Sequence, residues 1–119
     1  MNEVQIKDNS IICNGTKIIE FNYNIKEYLI FKEGIAVCLL SDSNYYPDGK
    51  NVFFVDFNGN ILWQIKHAYI DYSFDGEPSV GVYVGLTKEN DRSFWAYNSK
   101  GFNLLLDING NILDEEFLK

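Results

Sequence analysis

The residues that could carry enzyme chemistry are few in this sequence and stand far apart. His67 is the only histidine, and Cys13 and Cys38 are the only cysteines. A zinc site needs several His, Cys or carboxylate ligands at short spacing, and no cysteine or second histidine lies near His67. A nucleophilic cysteine needs a neighbouring base, and nothing in the sequence pairs either cysteine with the histidine. We therefore expect a surface histidine, no metal site, no cofactor and no enzymatic activity.

Carboxylates are the other candidates, and five of them gather in two polar segments, residues 41–50 and 71–79. A glycosidase sets two carboxylates across a cleft, and a calcium loop alternates Asp with other residues before a Gly and a distal Glu. Neither spacing is present. Two interpretations remain, solvated loop charges or an anionic surface that binds a basic partner. The five acids are Asp42, Asp48, Asp71, Asp75 and Glu77.

Aromatic residues stand beside these acids, in segments without the alternation of a strand. Tyr45, Tyr46, Tyr72 and Phe74 either fold back over the edge of the core or form part of a binding surface. Tyrosine is enriched at interface hot spots, because it offers a large contact area and a hydroxyl group at low entropic cost. The predicted partner-binding residues are Asp42, Tyr45, Tyr46, Asp48, Asp71, Tyr72, Asp75 and Glu77.

The charge balance indicates which partners such a surface would bind. The chain of 119 residues has 10 Lys and Arg against 17 Asp and Glu, a net charge of −7. Nucleic-acid binding needs clustered basic residues, so we expect a basic protein as partner and no nucleic acid. The longest apolar run, residues 35–40, is far shorter than the roughly 20 residues of a membrane helix. The N-terminus resembles no secretory signal. These features predict a cytoplasmic protein that binds no membrane.

The cysteines fit a reducing compartment. Cys13 and Cys38 each lie within an apolar run. A free cysteine in such a place behaves as a small hydrophobic residue. We therefore predict two buried free thiols and no disulfide.

Turn signals set the fold class. Seven of the nine glycines follow a polar or charged residue, and Asn-Gly and Asp-Gly pairs favour tight hairpin turns. Between them lie short strand-like runs. We predict one all-β domain over residues 1–119, an antiparallel β-sandwich or small barrel of about 8–10 strands. Residues 63–72 could instead form one short helix, and residues 114–119 a helical turn or a last strand. In residues 26–31 the alternation fades, which favours a strand covered on both faces.

One segment of the sequence occurs twice. Residues 55–62, Val-Asp-Phe-Asn-Gly-Asn-Ile-Leu, return as residues 106–113, Leu-Asp-Ile-Asn-Gly-Asn-Ile-Leu. Two hairpins built with the same turn chemistry would explain the echo, and so would duplication of a strand-turn-strand unit.

The first copy resembles a hairpin of the quinoprotein-type β-propeller repeats. Val55, Asp56, Gly59 and Trp63 match that repeat, although the turn is one residue shorter, and Asp114 stands where the second copy would have the Trp. The resemblance implies a blade-like sheet. A propeller needs at least four blades of about 40–50 residues, so such sheets in this chain must close differently or associate between chains.

The whole layout carries a second resemblance. An apolar N-terminal hairpin, the run 51–65 and the closing runs 95–102 and 106–113 are similar to small bacterial all-β proteins, among them immunity proteins of polymorphic or contact-dependent toxin systems. This resemblance implies an intracellular inhibitor that occludes the active site of a basic toxin, such as a nuclease.

A different class of function stays open beside it. Trp95, Tyr97 and Tyr83 could line an exposed sheet face that binds a carbohydrate or another small molecule. That alternative predicts three solvent-exposed rings in one row. Trp63 and Trp95 are otherwise expected to pack against the sheet.

Overall fold

The computed structural model describes residues 2–68, 70–72 and 78–117, which form thirteen strands and contain no helix. Most strands begin and end beside the polar turn residues that the sequence places between apolar runs. The strands are β1 (Val4–Lys7), β2 (Ser10–Cys13), β3 (Thr16–Glu20), β4 (Asn24–Ile30), β5 (Ile35–Leu40), β6 (Val52–Val55), β7 (Ile61–Gln64), β8 (Ile70–Tyr72), β9 (Pro78–Val80), β10 (Tyr83–Asn90), β11 (Ser93–Asn98), β12 (Phe102–Asp107) and β13 (Ile112–Phe117).

Consecutive strands pair as antiparallel meanders. Strands β1–β3 form the N-terminal sheet, β4–β7 the central sheet and β10–β13 the C-terminal sheet, while β8 and β9 form a separate hairpin. The three larger sheets stack in the order of the chain. Their stacking gives an elongated molecule with extents of 50 × 28 × 18 Å.

The central sheet is the middle layer, and its strands β5 and β6 are buried along their whole length. Successive side chains of a strand point to opposite faces. Val37 and Phe53 therefore pack against the N-terminal sheet, whereas Cys38 and Phe54 pack against the C-terminal sheet. Two hydrophobic cores result, one at each junction between sheets.

The echoed sequence folds as two turns with the same hydrogen bonds. In the first, Asp56 Oδ1 accepts bonds from the backbone N–H groups of Asn58 and Asn60, both at 2.9 Å. In the second, Asp107 Oδ1 accepts from the corresponding groups of Asn109 and Asn111, also at 2.9 Å. The glycine of each turn has a positive φ, 87° at Gly59 and 86° at Gly110. This conformation is sterically unfavourable for residues with a side chain.

The β6–β7 hairpin also contacts the turn of the β12–β13 hairpin. The Trp63 indole lies nearly parallel to the rings of Phe54 and Phe94, with centroids 5.8 and 6.2 Å away. Its Nε1–H donates to the carbonyl of Ile108 at 2.8 Å. A Cβ on Gly110 would come within 3.0 Å of this indole. Trp63 therefore packs against the sheet, as predicted, and joins the central sheet to the turn of the C-terminal sheet.

A buried polar group makes a second link between these sheets. Asn51 Oδ1 accepts from the Tyr83 N–H at 2.9 Å, and Asn51 Nδ2 donates to the carbonyls of Tyr83 and Leu39 at 2.8 and 2.9 Å. The Cys38 thiol also donates to the Tyr83 carbonyl, at 2.9 Å. The Asn51 side chain thus satisfies the backbone N–H and carbonyl of Tyr83 in β10, as a neighbouring strand would otherwise do.

The prediction of an all-β fold is confirmed, with more strands than expected. The open meanders are stacked as in a sandwich, so of the two predicted architectures the structure has the sandwich-like one. Strand β13 reaches Phe117, which decides residues 114–117 in favour of a strand, and residues 118–119 lie outside the described ranges. In the described parts of residues 63–72, strands β7 and β8 replace the alternative helix.

The prediction for residues 26–31 was wrong. Tyr28 and Ile30 of β4 are 45% and 41% exposed, because β4 lies at the edge of its sheet. The strands covered on both faces are β5 and β6. In the ranges that the structure describes, no helix is long and apolar enough to cross a membrane.

Candidate protein-binding groove

Residues 41–50 connect β5 to β6 in a loop that is held by local hydrogen bonds. Ser41 Oγ accepts from the Tyr45 N–H at 3.0 Å, and the Ser41 carbonyl accepts from the Asn44 N–H at 3.0 Å. Asn44 has a φ of 57° and Gly49 a φ of 70°, so the chain reverses twice within a few residues. The predicted loop is confirmed, and its backbone geometry defines where the two tyrosines lie.

The two tyrosines of this loop have different environments. Tyr46 is half-buried against Tyr23 and Phe53, with ring centroids 5.0 and 6.5 Å apart. Burial raises the pKa of Tyr46, and the nearby Asp48 and Tyr23 raise it further. Tyr45 is 54% exposed. The structure therefore divides the pair: Tyr46 folds back over the core, and Tyr45 extends into solvent.

The two acids of the loop are exposed, and each already has a contact. Asp42 Oδ1 lies 3.3 Å from Lys26 Nζ, with 91% of the Asp42 side chain exposed. Asp48 Oδ1 accepts from the Lys50 N–H at 3.0 Å. An ion pair this exposed contributes about 0–1 kcal/mol, so Asp42 is held only weakly by Lys26.

The second predicted segment, residues 71–79, is only in part a loop. Strand β8 pairs with β9 in the register Ile70↔Val80, Asp71↔Ser79 and Tyr72↔Pro78, so Asp71 and Tyr72 belong to a strand. A hairpin this short gives little alternation, which is why its sequence reads as a loop. For Asp71 and Tyr72 the structure describes the backbone; Asp75 and Glu77, with residue 74, lie outside the described residues.

The loop of residues 41–50 packs on the chain at the end of the second segment and just after it, and of the described residues of 71–79 only Ser79 takes part. Gly49 packs so closely on Gly81 and Val80 that a Cβ there would collide with the Gly81 carbonyl oxygen. Between them lies a groove of about 450 Å³, which we call the loop groove. It is lined by Asn44, Tyr45, Tyr46, Pro47, Ser79, Val80, Val82, Val84, Ser99 and Lys100.

Exposed apolar side chains line this groove. Val80 and Val84 are 37% and 41% exposed and line the same groove as Tyr45. These valines are not among the predicted residues, because alternation in a strand cannot show which face lies beside a distant loop. Among the described lining residues the one charged side chain is that of Lys100, and no carboxylate lines the groove. The loop acids Asp42 and Asp48 lie outside this lining.

His67 is half-buried and lies outside the loop groove. Its ring stacks on Phe102 at 4.8 Å between centroids, and its Nδ1 is buried with no hydrogen-bond partner among the described residues. It borders a second cavity of about 490 Å³, which Trp63, Ile112 and Asn109 also line. The described ranges bring no three metal-ligating side chains together.

Both cysteines are free and buried, as predicted. Burial, together with the nearby Glu27, raises the pKa of Cys38 to about 12. Because the thiolate is the nucleophilic form, both the burial and the raised pKa disfavour a nucleophilic role for Cys38. Its thiol acts instead as a hydrogen-bond donor within the core.

The three rings of the carbohydrate alternative do not lie in one exposed row. Tyr83 is fully buried, because it belongs to the core between the central and C-terminal sheets. Its hydroxyl donates to the His67 carbonyl at 3.1 Å, and burial raises its pKa to about 12 against an opposing hydrogen bond with Asn98. Trp95 and Tyr97 are half-buried on the opposite face of the C-terminal sheet. The exposed row that this alternative required is absent.

Comparison with known proteins gives a family. The profile described as "Domain of unknown function (DUF7957)" matches residues 1–117. The chain belongs to this family. No curated protein matches this member of DUF7957.

Among solved structures, the computationally designed Ika8 protein aligns with a TM-score of 0.35 and 12% identity over 98% of this chain and 48% of its own. A protein of unknown function from Bacteroides caccae aligns with a TM-score of 0.38 and 11% identity over 99% of this chain and 58% of its own. The chain thus spans about half the length of these structures.

Proposed function

We propose that this DUF7957 chain is a non-enzymatic protein-binding domain that binds its partner at the loop groove. The observation that carries the proposal is the groove between the predicted loop of residues 41–50 and the chain from residue 79 onward, which Tyr45 and Tyr46 both line. Tyr45 supplies an exposed aromatic ring there, and Val80 and Val84 supply apolar contact area. An exposed aromatic residue with apolar neighbours and a polar rim is the usual composition of an interface hot spot.

The charge of the chain supports a basic partner. The excess of acids over bases gives the net charge of −7, and Asp42 and Asp48 stand exposed on the loop beside Tyr45. Opposite fields accelerate encounter and disfavour partners of the same sign. A toxin domain that binds nucleic acid carries a basic surface. The proposed role is therefore that of a cytoplasmic immunity protein that occludes the active site of a toxin, with a nuclease as the class that fits this charge.

Binding to a purified toxin domain tests the proposal. The probe is a catalytically inactive form of the toxin-like domain encoded next to the gene of this protein. We expect tight 1:1 binding with an association rate constant of about 10⁸ M⁻¹s⁻¹ at low salt. This rate constant should fall steeply as salt is added. A neighbouring gene without a toxin-like product, or a toxin domain that does not bind, would contradict the immunity role.

A matched pair of tyrosines tests the place of binding. Tyr45→Ala removes the exposed ring of the groove, and we expect the dissociation constant to rise about 30-fold or more, in the range of a hot-spot truncation. Tyr28→Ala is the control, because Tyr28 is similarly exposed, at 45%, but does not line the groove. Equal effects of the two substitutions would rule out the loop groove as the binding site.

A further inference from the structure

The outer face of the C-terminal sheet corresponds to a buried face of the central sheet. The echo that aligns Val55 with Leu106 also aligns Phe54 with Leu105. Phe54 is fully buried, because it faces the next sheet in the stack. Leu105 points away from the stack, since its neighbours Leu104 and Leu106 pack inward. Leu105 therefore occupies the position from which a further sheet would be contacted.

Aromatic and acidic side chains share this outer face. Strand register places Trp95 beside Leu105, and Leu105 beside Asp114. In the neighbouring row Tyr97 lies beside Asn103, which pairs with Glu116. A stacked array of sheets normally ends in a polar capping face, whereas Trp95, Tyr97 and Leu105 remain only half-buried here.

The opposite end of the stack, the outer face of the N-terminal sheet, carries two lysines. In the N-terminal sheet Ile11 packs on the central sheet, so the alternate rows face outward. One outward row is Gln5, Ile12 and Lys17, and the other is Lys7, Ser10 and Glu20. Lys17 Nζ lies 3.0 Å from Glu20 Oε1 in an exposed ion pair, which a partner carboxylate could replace at little cost.

This face also has room for a partner side chain. It holds a hollow of about 330 Å³, which Lys7, Ile12 and Lys17 help to line. The turn at Gly15 is open as well, since a Cβ there would meet nothing within 4 Å. In contrast, Gly59 packs on Ile18, and Gly110 packs on Trp63, each in the preceding sheet. The N-terminal turn thus lacks the contact that both later turns have.

We propose that the outer face of the C-terminal sheet binds the outer face of the N-terminal sheet of a second copy of this chain. The contact repeats, between copies, the stacking that joins the three sheets within one copy. Trp95 and Leu105 meet the hollow around Ile12, and Asp114 and Glu116 lie opposite the two lysines. The surface is separate from the loop groove.

Charge disfavours a symmetric contact of two C-terminal sheets, which would oppose Asp114 and Glu116 to the same carboxylates. Two N-terminal sheets would oppose faces that hold Lys7 and Lys17 together with Glu20, whereas the head-to-tail contact opposes the acids to the lysines. Like charges across an interface are costly. A head-to-tail contact between different faces leaves one face free on each end, so it continues into a longer assembly or closes as a ring.

Sedimentation velocity of the purified chain over a wide concentration range is the first test. We expect the mass to rise with concentration above the 13.8 kDa of one chain, and to fall again as salt is added. A mass of one chain at every concentration would overturn the proposal.

Two charge-reversed variants test which faces meet. The lysine-reversed variant is Lys7→Glu with Lys17→Glu, and the acid-reversed variant is Asp114→Lys with Glu116→Lys. All four positions are exposed on strands, and circular dichroism with thermal unfolding checks that each variant folds. We expect each variant alone to associate about tenfold or more weakly than wild type.

Mixing the two variants gives the decisive result. The acid-reversed variant keeps an intact N-terminal face, and the lysine-reversed variant keeps an intact C-terminal face, so together they form one wild-type contact. The two reversed faces also carry opposite charges, so we expect the mixture to recover association and to grow by alternation of the two variants. If association persists in both variants, or if only one variant loses it, head-to-tail binding is wrong. A mixture that stays monomeric would contradict the proposal in the same way.

Discussion

The two junctions between sheets are built differently. At the junction of the N-terminal and central sheets the side-chain contacts are those of apolar residues, such as Ile11, Val37 and Phe53. A hydrogen bond there joins backbone groups, the Ile25 N–H and the Asp8 carbonyl at 2.8 Å, so it depends on no particular side chain. At the junction of the central and C-terminal sheets, apolar packing is joined by two directional links, the Asn51 hydrogen bonds to Tyr83 and the Trp63 hydrogen bond to Ile108.

The difference shows how each junction is specified. Apolar contacts are non-directional, so a face of the right size and shape tolerates substitution. A buried hydrogen bond is intolerant, because removing one partner leaves the other unsatisfied. We infer that the first junction depends on volume and the second on particular residues. Four kinds of substitution test this inference, from the largest expected effect to the smallest.

Asn51→Ala should have the largest effect. It leaves the N–H of Tyr83 and the carbonyl of Leu39 without their bonds and weakens the hydrogen bonding of the Tyr83 carbonyl. At about 1–3 kcal/mol for each unsatisfied buried group, we expect a loss of about 4 kcal/mol in the free energy of unfolding. Urea denaturation measures it. Asn58→Ala, at an exposed turn position, should cost less than about 0.5 kcal/mol; similar losses in the two variants would refute the directional link.

Trp63→Ala should rank second, with a loss of about 3 kcal/mol, since it removes a ring that is packed between Phe54 and Phe94. Trp63→Phe separates the two contributions. It keeps an aromatic ring and loses the hydrogen bond to Ile108, so about 1 kcal/mol of the loss should remain. Trp95→Phe is the control, because the Trp95 indole donates only to the exposed Glu89. A Trp63→Phe variant as stable as wild type would show that the hydrogen bond contributes nothing.

The glycine turns compare the junctions directly. Gly59→Ala and Gly110→Ala share the positive φ, but the new Cβ meets the backbone carbonyl of Ile18 in the first and the Trp63 ring in the second. We expect losses of about 3 and about 2 kcal/mol in the free energy of unfolding, because a side chain yields more easily than backbone. Gly15→Ala has the same sign of φ and nothing within 4 Å, so it measures the conformational cost alone, about 1 kcal/mol. A larger loss at Gly110 than at Gly59 would reverse the comparison.

The local parts of this structure could be predicted from the sequence. Strands β1, β2 and β12 begin and end where the turn signals place them, and the echoed segments form matching turns. The reason is physical: Asp56 and Asn60 close their turn within five consecutive residues, so no distant part of the chain is needed. The burial of both cysteines follows in the same way from their apolar neighbours.

The non-local parts could not be predicted. Asn51 resembles a turn residue in the sequence, and only the arrival of β10 makes it a buried link. Tyr83 fits either face of a strand until the stacking order is known. Tyr45 and Tyr46 were found as candidates, but the groove that they line depends on the contact of Gly49 with Gly81. Residues distant in sequence decide all three.

The smallest expected effect concerns the two aspartates of the matching turns. Hydrogen bonds from the backbone and side chain of Asn60 lower the pKa of Asp56 below its ordinary value of 3.8. For Asp107 burial raises the pKa, but hydrogen bonds from Asn111 and Asn109 and the charge of Arg92 outweigh it, so this pKa is also lowered. A carboxyl with a lowered pKa in the folded state stabilises the fold above its ordinary pKa, and the contribution is lost as pH falls through the folded value.

We therefore expect Asp56→Asn and Asp107→Asn to be less stable than wild type near neutral pH, and the difference to shrink in acid below about pH 4. Salt separates the two turns. Adding about 0.5 M NaCl should reduce the Asp107→Asn difference alone, because only Asp107 has a charged contribution, from Arg92, that salt screens. Urea denaturation at several pH values, with and without salt, measures both effects. If salt reduces both differences equally, the turns are electrostatically alike, and their junctions differ in packing and hydrogen bonding alone.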